Sequence, residues 1–261
     1  MTSSLLASAQ GLSGGAVILI LIAGFGAGLF NGVAGGGTML SFPTLLALGI
    51  PPLTANISST VGILPGYTAS ILGFRREISK HRGHLRPLVL PGLGGSMLGA
   101  LLLLTTSPSV FRVLVMVLVG LATLLFAVQP LVAKAMATRT TKVEHRTALV
   151  VGVAMTSVYG GYFGAGMGIM LLVVFGLTLP LSLSESSGLR SVVSIVVNAI
   201  AAAIFLIHGA PNWVVVAALA PSSLVGGYLG AHLSRRLPVP WLRGCVVGIG
   251  ILTTIVLIVR A

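Results

Sequence analysis

Apolar positions along the chain fall into ten runs, at about 16–31, 36–49, 55–74, 86–104, 111–131, 148–162, 165–178, 187–207, 213–233 and 243–259. The runs are continuous rather than alternating, so they predict helices and not the short alternating strands of a membrane β-barrel. A helix needs about 20 residues to cross a bilayer. Runs 36–49 and 165–178 fall short of that, and each directly follows a cluster of glycines. The clusters are Gly32-Val33-Ala34-Gly35-Gly36-Gly37 and Gly161-Tyr162-Phe163-Gly164-Ala165-Gly166, the same spacing 129 positions apart. Each cluster with its short run predicts a broken or re-entrant helix that turns within the membrane.

The positions between the runs set an orientation. Twelve of the fifteen Lys and Arg lie in three short loops: Arg75, Arg76, Lys80, Arg82 and Arg86; then Lys134, Arg139, Lys142 and Arg146; then Arg235, Arg236 and Arg243. Basic loops mark the cytoplasmic side. Placing all three inside requires ten crossings and an N-terminus outside. Loop 179–186 then falls inside too, although it holds no Lys or Arg. Five segments per 129 residues is an odd number, so the second copy is inverted relative to the first. Gly32/Gly161, Gly35/Gly164, Gly37/Gly166, Leu48/Leu177, Pro51/Pro180 and Ser58/Ser187 match without a gap. The expected fold is an all-α polytopic membrane protein of two inverted repeats, 1–133 and 148–261, joined by a basic cytoplasmic linker at 134–147.

Composition agrees. Of the 261 residues, 56% are hydrophobic and 7% charged, against about 25% charged in soluble domains. The net charge of +12 sits in loops, which suits topology and contact with anionic lipid rather than nucleic acid. The chain has no Asp and three Glu, which excludes paired-carboxylate catalysis. No Gly-x-x-x-x-Gly-Lys-Ser/Thr loop is present to hold ATP. His81 and His84 have a metal-like spacing but lie among Arg and Lys. Gly11-Leu12-Ser13-Gly14-Gly15 matches a nucleophile elbow only formally, with no Asp to complete a triad. Cys245 has no partner cysteine. No enzyme, cofactor or metal reading survives.

Paired helix interruptions in corresponding halves point to a transport site. A helix restarting after a break presents free N–H groups and the positive end of its dipole, which suits an anion. Gly35, Gly36, Gly37 and Thr38, with Gly164, Ala165 and Gly166, are the first candidates, and Asn31 adjoins the first cluster. Each short run is followed by a hydroxyl-rich helix start, where Asn56, Ser59 and Thr60, and Ser186 and Ser187, could line the path; Thr54 and Ser184 could simply cap helices. Asn198, inside an apolar run, needs a hydrogen-bond partner. Arg190 could meet an anion, pair with Glu185 or anchor at the interface. Glycine also permits tight helix packing, the simpler role of Gly95 with Gly99, Gly226 with Gly230 and Gly244 with Gly248.

The run from Gly28 to Pro43, with Gly49 and the Thr54-Ala55-Asn56 turn, resembles the sulfite exporter TauE/SafE family, also called the toluene sulfonate uptake permease family. The second copy departs from the motif in having no proline to match Pro43. The resemblance implies a membrane transporter for sulfite, sulfonates or related organic anions. The expected function is thus a plasma-membrane transporter of a small anion, working in membrane lipid with homo-oligomerisation left open. The alternative is a non-transporting membrane scaffold or assembly factor. Uptake would need a co-transported cation, for which Glu185 is the obvious titratable helper.

Overall fold

The computed structural model describes residues 13–33, 35–138, 145–233 and 239–259. Ala34, Arg139, Lys142, Glu144, Arg235, Arg236 and Arg260 lie outside the described residues, as do the side chains of Trp241 and Arg243. The described residues form helices joined by short turns, without strands. The order is α1 (Gly14–Val33), α2 (Thr38–Ala47), α3 (Pro52–Gly73), α4 (Arg75–Lys80), a 3-10 turn (Arg82–His84), α5 (Leu85–Thr105), α6 (Pro108–Thr138), α7 (Arg146–Tyr162), α8 (Met167–Thr178), α9 (Leu183–His208), α10 (Trp213–Leu233) and α11 (Val239–Val259).

Among the described residues, five helices are long and apolar enough to cross a membrane: α1, α5, α6, α9 and α10. Their large apolar side chains face outward, with Ile207 74% and Leu131 67% exposed, which in this setting is a surface for lipid rather than water. Helix α3 is long enough to cross but richer in hydroxyls. It buries Asn56, Ser58, Ser59, Thr60 and Ser70 against protein instead of lipid, and Ser58, Ser59, Ser70 and the Asn56 amide nitrogen meet hydrogen-bond partners there. The 10-residue α2 and the 12-residue α8 reach only about 15 and 18 Å at 1.5 Å per residue, against a hydrocarbon core of about 30 Å.

Glycine fixes the tightest packing. Helix α1 lies along α10, where a Cβ on Gly28 would strike the Ser223 carbonyl and one on Gly32 would sit 2.7 Å from the Ala231 nitrogen. Helix α5 lies along α7 in the same way, with Gly95 against the Ala154 carbonyl and Gly99 against that of Val158. Backbones can approach this closely only where side chains are missing. Helices α3 and α9 sit between these pairs and touch each other, α3 also packing on α10 and α9 on α5.

Local chemistry sets the ends. Helix α2 stops in a Schellman motif: Gly49 takes φ +80°, its N–H donates to Leu46 and that of Ile50 to Leu45. Helix α9 starts in a capping box of Ser182 and Glu185. The capping serine is therefore Ser182, not Ser184, and Pro51 rather than Thr54 precedes α3. Two further differences from the sequence reading are structural. The basic stretch after α3 contains α4, and α6 continues through Thr138, so the expected linker begins as helix.

Candidate functional site

The two glycine clusters meet. A Cβ on Gly36 would lie 3.4 Å from the Gly166 nitrogen, and one on Gly168 would lie 3.1 Å from the Gly35 Cα. Each cluster turns the chain by the same local device. The N–H of Gly35 returns to the Phe30 carbonyl at 3.0 Å and that of Gly164 to the Tyr159 carbonyl at 3.2 Å, with φ at +73° and +80°. Only glycine holds that conformation without strain. Helices α2 and α8 then begin at the meeting point.

Arg190 stands between the two clusters. It is 1% exposed, the largest fully buried side chain among the described residues. Its Cζ lies 3.2 Å from where a Cβ on Gly35 would sit, and its Cδ 3.3 Å from the equivalent point on Gly168. The guanidinium fits because both backbones lack a side chain. Burying a cation here is costly unless it is matched by polar partners or an anion. The interfacial-anchor reading of Arg190 is overturned by this burial. The pairing with Glu185 is replaced as well: Lys80 Nζ lies 2.5 Å and His81 Nε2 2.9 Å from Glu185 Oε1. Ser182 donates to Oε2 at 2.8 Å.

Asn31 links the first cluster to this centre. Its Oδ1 accepts from the N–H of Gly36 at 3.0 Å and of Gly37 at 2.6 Å. Two of the amides expected to hold an anion are thus already satisfied. What remains is Asn31 Nδ2, a buried donor without a partner. The buried Tyr67 hydroxyl lies close to Thr38, Asn198 and Asn31 and within the field of Arg190. Tyr67 and Gly168 also stand at this centre and were not among the candidates that the sequence offered. Nothing in their local sequence marks them, because α3 and α8 bring them to the centre only in the fold. Asn198 donates to the Ser194 carbonyl at 2.8 Å.

The structure thus assembles Asn31, Gly35, Gly36, Gly37, Thr38, Gly166 and Arg190. The other candidates have different neighbours. Ala165 is buried, and its carbonyl accepts from the Tyr159 hydroxyl at 2.6 Å. A Cβ on Gly164 would face the Gly160 carbonyl. Asn56 donates to the Tyr162 carbonyl at 3.0 Å, while its Oδ1 is buried without a donor. Ser59 bonds Ser41 at 2.6 Å, and Thr60 is buried beside it in sequence. Ser186 is buried with no partner for its hydroxyl, and Ser187 is half-buried, its carbonyl taken by Ser191.

A lipid-facing helical shell around a buried polar centre, reached by two half-length helices, defines a multi-pass membrane protein of the transporter class. The chain belongs to the sulfite exporter TauE/SafE family, whose family model matches residues 20–257. It is 27% identical to a probable membrane transporter protein, ORF9, of Sinorhizobium sp, over 83% of this chain and 81% of that one. It is 24% identical to a probable membrane transporter protein of Haemophilus influenzae, over 82% and 84%. It is 25% identical to the probable membrane transporter protein YfcA of Escherichia coli K12, over 81% and 76%.

Proposed function

We propose that the chain is a secondary transporter moving a small organic or sulfur-containing anion, of the sulfite or sulfonate class, across the plasma membrane. The observation that carries this reading is Arg190, fully buried between two glycine turns from opposite halves of the chain. In a dry centre a guanidinium attracts an oxyanion strongly and offers paired donors to its oxygens. Asn31 Nδ2, Thr38 and Tyr67 would supply neutral contacts, and the uncapped start of α8 its positive dipole end.

Two inverted repeats of five segments would move around this centre. The packing supports that arrangement. Exchanging the first, second, third, fourth and fifth main helices of one half for those of the other maps α1–α10 onto α7–α5, α3–α10 onto α9–α5, and α2–α11 onto α8–α6. An N-terminus outside, with Arg75 to Arg86 inside, follows from the positive-inside rule. The membrane potential drives a monovalent anion outward by about 2.3 kcal/mol per 100 mV, so export needs no coupling carboxylate. Glu185, held by Lys80 and Ser182, then serves structure rather than proton coupling.

The test is flux in sealed liposomes holding the purified protein, with sulfite, alkyl and aryl sulfonates and carboxylates offered one at a time. At least one class should cross at a rate that a set membrane potential alters. If none crosses through correctly folded protein, the reading fails and the scaffold alternative takes its place.

A further inference from the structure

A second anionic ligand site lies away from the buried centre, at the end of the molecule that carries the basic residues of α4. A cavity of about 440 Å³ opens where α3 ends, α4 begins and α10 ends, and its walls include Arg75, Arg76, His232, Tyr228, Leu72 and Glu77. Arg75 and Arg76 are exposed, and among the described residues neither forms an ion pair with a carboxylate. Among the described residues, Glu77 is the one carboxylate in the wall, and it accepts from the Ser184 hydroxyl at 3.2 Å. The balance of charge in the cavity is therefore positive. The His232 ring lies against that of Tyr228 with centroids 4.3 Å apart, and its Nδ1 is 2.9 Å from the Tyr228 carbonyl.

The remaining wall is apolar and faces outward. Leu72 is 57% and Tyr228 50% exposed, and the same side of α10 continues into Leu224 and Val225, both exposed. A soluble anion has no use for such a strip. An anionic phospholipid does: a phosphodiester fits the guanidinium pair, and an acyl chain lies along the strip into the bilayer. Basic recesses between helix ends on the cytoplasmic side hold acidic lipid headgroups in this way. We infer that this cavity binds one anionic phospholipid of the adjacent leaflet, headgroup on Arg75 and Arg76. Because α4 also carries Lys80, which holds Glu185 at the start of the helix bearing Arg190, the bound lipid would steady the contact between the two halves.

The probe is thermal unfolding of the purified full chain in detergent, supplemented with phosphatidylglycerol, phosphatidylcholine of the same chains, or inorganic phosphate. Phosphatidylglycerol should raise the midpoint by several degrees more than either of the others. The double variant R75Q/R76Q should lose most of that difference, while R82Q/R86Q, with the same change of charge outside the cavity, should keep it. Equal losses in the two double variants would mean diffuse charge and overturn the site, as would full retention in R75Q/R76Q. A shift with inorganic phosphate equal to that with phosphatidylglycerol would overturn the lipid assignment. Should R75Q/R76Q fail to fold, R76Q alone, scored by lipids retained in native mass spectrometry, gives the same decision. None of these readings depends on which anion is transported.

Discussion

The two glycine turns share a backbone and differ in their side chains. Besides the bonds that end α1 and α7, two more backbone bonds recur at the same offset: Leu40 and Ser41 donate to Gly37 as Ile169 and Met170 donate to Gly166. At the positions that matter for a ligand the equivalence stops. Asn31, which binds two amides of the first turn, corresponds to Gly160, where Met167 fills the space. Thr38 corresponds to Met167, Arg190 to Val61 and Tyr67 to Val196. Gly36, at φ +120°, corresponds to Ala165, whose φ is not positive. The two halves thus supply two helix starts facing each other, and the second half reaches across with Arg190 to polar groups of the first. On the proposed function, the contrast teaches that the anion would be held by side chains on one side of a backbone scaffold common to both.

Substitutions can break this comparison, and the largest effect is expected at Gly36. Gly36→Ala forces a side chain into a conformation that L residues rarely adopt and into the Phe126 ring. Strain and overpacking together should cost about 3 kcal/mol or more, seen as a large drop in the unfolding midpoint. Ala165→Gly at the matching position should cost under about 1 kcal/mol.

Next come Gly35→Ala and Gly164→Ala. Their φ values are alike, so each should lose about 1–2 kcal/mol of stability. They should separate in transport. The added methyl at Gly35 presses on Arg190, whereas at Gly164 it meets only the Gly160 carbonyl at 3.0 Å. Gly35→Ala should raise the KM for the anion by about tenfold or more, since about 1.4 kcal/mol is a factor of ten, and Gly164→Ala should leave KM nearly unchanged. Equal KM effects would place the ligand evenly between the turns.

Asn31→Ala removes two hydrogen bonds to the first turn and should cost about 1–2 kcal/mol in unfolding free energy. The smallest effect belongs to Tyr159→Phe, which removes one bond to the Ala165 carbonyl. It should cost about 1 kcal/mol with flux preserved. A Tyr159→Phe protein that folds normally but does not transport would move the centre toward the second turn.

The helices were legible in the sequence because long apolar runs end at Pro, Gly and charged residues. The two glycine clusters, and hence α2 and α8, were legible for the same reason. Helix α4 was not: Arg75 to Lys80 reads as a charged loop, and its helix depends on Glu77 and Lys80 reaching Ser184 and Glu185 across the fold. The burial of Arg190 was hidden too, because it depends on glycines 155 and 22 positions away leaving room. At Gly244 and Gly248, read from spacing as packing positions, an added Cβ would meet no atom of the described residues within 4 Å. The motif says that backbones could approach, not which partner is present.

Anion-dependent stabilisation of the purified protein, compared between the native chain, Arg190→Lys and Arg190→Gln, tests the central claim most directly. The transported anion should raise the unfolding midpoint of the native protein, raise it less with lysine in place and not raise it with glutamine, while chloride controls stay level. An Arg190→Gln protein that still folds and is stabilised by the anion as fully as the native chain would contradict the account.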